Sequence, residues 1–223
     1  MTQLTKSLAG NLEVLSANGL STFIDDNDGT LKLKDTYGIV EPFSNYVNTS
    51  SSSTNRGLFV QTATSTPVTN TTTATSIIAT GQGSLSVPAN GFSVGTSFVA
   101  YLSGTISCLN NAQIEFHFST GGVVLADSSI LTLAQTTNKN WQMMVYFTVR
   151  AIGGAGVASI VTSGNFTYNK NSANIPEGLG FSNTNSTTFN TTIANTLTIT
   201  AQWGSASASN SITTEIFTLT QIY

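Results

Sequence analysis

Charge is what this sequence has least of. Of its 223 residues, 8% are charged, against about 25% in an ordinary globular protein. The 7 Lys and Arg residues form no cluster, and the formal net charge is −3. A nucleic-acid partner needs a basic patch to neutralise phosphates, so that class is set aside. Cysteine is nearly absent as well. A single Cys108 excludes an internal disulfide and any multi-thiolate metal site. Long apolar runs are missing: between Gly57 and Ile114, where no charged side chain occurs, the longest is Phe98 to Leu102. A spanning helix needs about 18 such residues, so no membrane span is expected. The first residues, MTQLTKSLAGNLEV, lack the apolar stretch of a secretory signal, and synthesis in a cytoplasm is the expectation. No G-x-S-x-G elbow and no phosphate-binding loop occurs.

Hydroxyls and amides stand where the ions are missing. Ser, Thr and Asn make up 86 of the 223 residues, and the branched Thr side chain suits a pleated sheet. The remaining charges are uneven: residues 1–56 hold ten of the seventeen. Residues 1–50 read as a separate arm. Leu4, Leu8, Leu12 and Leu15 suit one helical face, although Gly10 weakens it. Phe23–Ile24 and Leu31–Leu33 flank Asp28-Gly29, the pattern of a hairpin, and Pro42 marks any strand over 39–47 as an edge. The polar run 48–56, NTSSSSTNR, supplies a Ser-rich linker at 51–56.

From Gly57 onward the chain reads as short strands separated by turn signals, with no helical pattern between them. Strands are expected over 58–64, 76–80, 84–87, 97–107, 112–119, 123–126, 130–133 and 142–150. Others are expected over 158–161, 164–168, 187–193, 197–203 and 212–223. This spacing points to an all-β sandwich or barrel. Ile114, Phe116 and Phe118 alternate, as do Met143, Val145, Phe147 and Val149, and each set predicts a core face. The last segment carries apolar groups on both faces: Ile216 and Ile222 on one, Phe217, Leu219 and Tyr223 on the other. Such a strand is expected in a core or a subunit interface.

Two stretches carry a resemblance. SIIATGQGSLSVPANGFSVGTSFVAYLSGTIS (Ser76–Ser107) resembles the opening of a jelly-roll domain of bacteriophage structural proteins. TLTITAQWGSASASNSITTEIFTL resembles its closing motif. The similarity spans roughly Gln61 to Tyr223. It implies an antiparallel jelly-roll sandwich over 57–223, with residues 1–50 as a small arm of short strands or a hairpin. The domains it resembles are trimeric spike, fibre-head or decoration modules of virions, shaped like the trimeric jelly rolls of the tumour-necrosis-factor type. The resemblance carries no catalytic residue.

The candidate sites are few. His117 and Glu115 lie two apart on the polar side of a strand; an acid–base pair is one reading, a solvent-facing pair the simpler one. Asp25, Asp26, Asp28 and Asp35 invite a calcium loop, but an EF-hand frame puts Ile24 where the first ligand is required. Trp141, Tyr146, Tyr168 and Trp203 are either a sugar-stacking platform or core. The segment 169–186, with Asn169, Asn171, Asn174, Glu177 and Asn183, reads as a long recognition loop. Cys108 reads as a small buried hydrophobe. The expectation is a non-enzymatic structural protein of the virion surface, made in the host cytoplasm, without cofactor or metal. It acts in host attachment or particle stabilisation, as a homotrimer held to other virion proteins through residues 1–50 and open to a host surface glycan. The alternative is a lectin-like carbohydrate-binding module.

Overall fold

A computed structural model describes residues 21–24, 31–34, 40–42, 57–153, 156–172 and 176–223. The chain divides into two compact units, residues 1–56 and 57–223. In the first, β1 (Ser21–Ile24) pairs antiparallel with β2 (Leu31–Lys34), and β2 with β3 (Val40–Pro42). The expected hairpin is present, and Pro42 sits on an edge strand, where a residue without an N–H is tolerated. Leu4, Leu8, Leu12 and Leu15, and the Asp25, Asp26, Asp28 and Asp35 cluster, lie outside the described residues.

The second unit is all β. Its long strands are β9 (Ser97–Cys108), β10 (Ala112–Thr120), β13 (Thr136–Ile152), β14 (Ala158–Asn169), β15 (Pro176–Asn185), β16 (Asn195–Trp203) and β17 (Ser211–Gln221). The shorter ones are β4 (Phe59–Gln61), β5 (Val68–Thr69), β6 (Thr75–Ser76), β7 (Gly81–Gly83), β8 (Ser86–Val87), β11 (Val123–Asp127) and β12 (Leu131–Leu133). The large sheet runs β15-β14-β13-β9-β17-β4-β7 and the small one β11-β10-β16-β6. Take β4, β6, β9, β10, β11, β13, β16 and β17 as first to eighth. The first then pairs the eighth, the second the seventh, the third the sixth and the fourth the fifth, all antiparallel. That nesting is a jelly roll, a two-sheet solution that protects strand edges. The β14–β15 hairpin extends the large sheet beyond it.

Alternation builds the core between the sheets. β9 turns Phe98, Ala100, Leu102 and Ile106 inward, and β10 turns in Ile114, Phe116 and Phe118. From β13 come Trp141, Met143, Val145, Phe147 and Val149. Phe116 lies 4.8 Å from Phe166, ring centre to ring centre, and Trp141 packs against both. Neither buried indole is left without a partner: Trp141 donates to the Thr213 carbonyl at 3.1 Å and Trp203 to that of Val68 at 2.8 Å. Gly104 faces Trp141 across the ladder. A Cβ there would lie 1.9 Å from the Thr213 carbonyl oxygen, so only glycine lets β17 approach.

In β17 a bulge between Thr214 and Ile216 inserts one extra residue, Glu215. The inward set therefore switches from Ile212 and Thr214 to Phe217 and Leu219, as an extra residue must make it do.

Two expectations over 169–193 are corrected. Residues 176–185 are not an irregular loop but a strand paired with β14 along its whole length, from Asn169↔Pro176 to Ile160↔Asn185. Gly178 is required there, because a Cβ would meet the Phe166 carbonyl oxygen at 1.8 Å. Residues 187–193 are not a strand. The Asn185 side-chain carbonyl accepts from the amides of Thr187, Thr188 and Phe189 at 3.1–3.3 Å. Those amides are thereby diverted from any ladder.

Candidate functional site

The residues of the expected recognition loop fall at the hairpin and bind inward. Glu177, on β15, accepts from the buried Tyr168 hydroxyl at 3.1 Å and pairs with Lys170. The hydrogen bonds from Lys170 and then Tyr168 hold the Glu177 carboxyl below its ordinary range. Burial pushes the Tyr168 hydroxyl up to about 12, and it also accepts from the Ala134 amide at 2.8 Å. Asn169 donates from its side chain to Asn140, and its carbonyl accepts from the Thr136 hydroxyl. Asn171 bonds Thr137 through both side-chain atoms. Asn183 donates to the Asp127 carbonyl at 2.9 Å, and Asn185 to that of Val124 at 3.0 Å. These two amides tie β15, the edge of the large sheet, to β11, the edge of the small one. Asn174 lies outside the described residues. The polar groups that composition assigns to recognition therefore fasten the hairpin to the sandwich.

The aromatic platform does not assemble. Trp141, Tyr168 and Trp203 are buried core residues, and only Tyr146 of the four is exposed. Of the last strand, Phe217 and Leu219 are core, whereas Ile216, Ile222 and Tyr223 are exposed. Cys108 is buried, and burial raises its thiol to about 11.

The outer face of the small sheet is polar. Glu115 and His117 from β10 stand 3.7 Å apart, with Thr200 and Asp127 opposite His117 on β16 and β11. His117 Nε2 has no hydrogen-bond partner among the described residues. The row continues through Thr200 to Ser76 on β6, whose hydroxyl donates to the Ile78 carbonyl and accepts from the Ile78 amide; no group of three His, Cys, Asp or Glu able to hold a metal occurs among the described residues.

A cavity of about 50 Å³ between the sheets is lined by Phe92, Phe98, Phe147 and Phe189 among others, a third of the roughly 150 Å³ that admits a benzene ring. An open groove of about 680 Å³ is walled by Thr64, Thr66, Thr75, Ser76 and Thr198 with Ala63 and Ile78. It holds neither the charges nor the aromatics that orient a ligand.

The outer face of the large sheet differs from all of these. Adjacent rows place Val60, Thr218, Tyr101 and Met144 side by side, then Thr220, Val99 and Tyr146, then Ile216, Ser103 and Gln142. This apolar centre was hidden in the sequence because its residues come from four strands. The alternation of β13 was the signal that could have exposed part of it: what points away from the core includes Met144 and Tyr146. No described helix is long and apolar enough to cross a membrane. Comparison with family models, curated proteins and solved structures found no match.

Proposed function

We propose that the chain is a structural protein of a virion surface: a jelly-roll head, trimeric in the particle, displayed as a spike, fibre tip or decoration, and held to other virion proteins by residues 1–50. The observation that carries this reading is the jelly-roll head itself: an eight-strand roll with an aromatic core. The division of charge supports it. Ten of seventeen charges lie in residues 1–56, which suits a polar attachment arm, while the head carries hydroxyls and amides. Its role is host attachment or particle stabilisation. A lectin-like reading keeps only Tyr146 of its four aromatics at the surface and is the weaker.

Particles purified from the source of the sequence test the reading. Antibodies raised against residues 57–223 are expected to decorate intact particles, and removal of residues 1–50 is expected to abolish incorporation. Unlabelled particles overturn it. A glycan-array signal that survives removal of residues 1–50 favours the lectin.

A further inference from the structure

We infer that the outer face of the large sheet, centred on Val60, Val99, Tyr101, Met144, Tyr146 and Ile216, is the surface through which copies of this chain meet. The inference rests on the proposal that the head assembles, and it names the face that does so.

Exposure comes first. Val60 and Tyr146 are each 46% exposed and Ile216 52%, all on adjacent rows of one sheet. Exposed apolar groups scattered singly need no explanation, whereas a contiguous patch marks an interaction surface. The patch also has the anatomy of an interface. Around its apolar centre lie Ser97, Ser103, Thr105, Gln142, Ser163 and Asn165, polar side chains without charge.

Charge selects the partner. Among the described residues, two charged side chains belong to the margins of this face: Glu215 in the β17 bulge and Arg150 in the bulge near the end of β13, both exposed. They are opposite in sign, so copies meeting here face no general like-charge opposition. The outer face of the small sheet is the contrary case. It carries Glu115 and Asp127 with no Lys or Arg among its described residues, so two copies meeting there bring like charges together. Its exposed apolar residues, Val124 and Ile130, stand apart, opposite Ser119 and beside Ile114 on β10.

Size agrees. Four long neighbouring strands, β14, β13, β9 and β17, span about 19 Å at roughly 4.8 Å each, and β9 runs about 35 Å. The face therefore offers roughly 700 Å², about what each partner contributes to a standard stable interface.

Cys108 makes the test clean, because a buried thiol raised to about 11 reacts slowly at neutral pH. Single cysteines are introduced as Ile216→Cys and Tyr146→Cys, with Val124→Cys and Ile130→Cys as controls, and labelling rates are compared in the full chain. The first pair is expected to label at least tenfold more slowly than the controls at a concentration where light scattering reports an oligomer. Equal rates overturn the inference. Ile216→Glu is expected to give the mass of one chain with an unchanged far-ultraviolet spectrum; an unchanged oligomer mass overturns it. A monomeric protein with a glycan-array signal that Tyr146→Ala removes also overturns it, since the face would then be a sugar platform. A protected face on a chain never found in particles supports the inference and sinks the virion reading. Incorporation into particles with the face open to label does the reverse.

Discussion

The outer faces of the two sheets are made by the same alternation from the same hydroxyl-rich composition, yet they present opposite surfaces. On the small sheet, Glu115, His117 and Asp127 lie among Thr200, Gln113 and Gln202. On the large sheet, Val60, Tyr146 and Ile216 lie among Ser and Thr. Core packing decides which positions turn outward but is indifferent to what stands there. A polar residue outward costs folding nothing, so a contiguous group of apolar ones in the same place asks for a partner. The small sheet carries charged groups on its outer face and the large one an apolar centre.

The largest effect that would break this comparison lies within β17. Phe217 is buried beside Phe59, 5.6 Å between ring centres, and Phe217→Ala is expected to destabilise the chain by about 3–5 kcal/mol. Ile216→Ala, one residue earlier, is expected to stay within about 0.5 kcal/mol for the isolated chain. Urea unfolding at a concentration too low for assembly checks both, and similar losses would mean that Ile216 is already covered within one chain.

Next come the tethers that join the two sheets at their edges. Asn185→Ala removes the acceptor of three amides and the donor to Val124, and about 1–2 kcal/mol is the expected loss. Hydrogen exchange should quicken at Thr187, Thr188 and Phe189; unchanged exchange would show that these amides have other protection.

A smaller effect depends on pH. The Glu177 carboxyl sits below its ordinary value of 4.5 in the folded chain, through Lys170 and Tyr168. Its contribution is therefore full above that value and is lost as pH falls through the lower, folded one. Melting temperatures from pH 6 to pH 3 should fall more steeply for the wild type than for Glu177→Gln, the two curves converging at the acid end. Parallel curves would deny the ion pair any part in stability. The smallest effect is on the inner side. The buried Thr162 hydroxyl has no hydrogen-bond partner among the described residues, so Thr162→Val should be neutral or stabilise by up to about 1 kcal/mol. A clear loss in thermal melts would reveal a partner for that hydroxyl.

What the sequence made legible follows from where periodicity is clean. β10 alternates from Ile114 to Phe118 and β13 from Met143 to Val149, and their core residues fall where the alternation puts them; β9 opens on the unbroken apolar run Phe98 to Leu102, which names no inner face. The β1–β2 hairpin is legible because Asp28-Gly29 separates two apolar pairs. β15 is not, because Gly178, Gly180 and Asn183 read as loop; only Leu179 and Phe181 keep the period, and the rest of its support comes from β14, a neighbour the local sequence does not name. The strand expected over 187–193 is lost to Asn185, whose side chain takes up the amides a ladder would use. In β17 the sequence shows apolar groups on both faces, but not that a bulge at Glu215 assigns Phe217 and Leu219 to the core and Ile216 to the surface. The candidate interface was the least legible part, since its rows are assembled from four strands.

The measurement that tests the central claim most directly is the absolute mass of the full chain in solution, by light scattering on a size-exclusion column, beside Ile216→Glu. Three times 23.3 kDa for the wild type and a single chain for the variant is the expected result. A wild-type monomer at high concentration, or a variant that keeps the wild-type mass, would contradict the claim that copies meet through the large sheet.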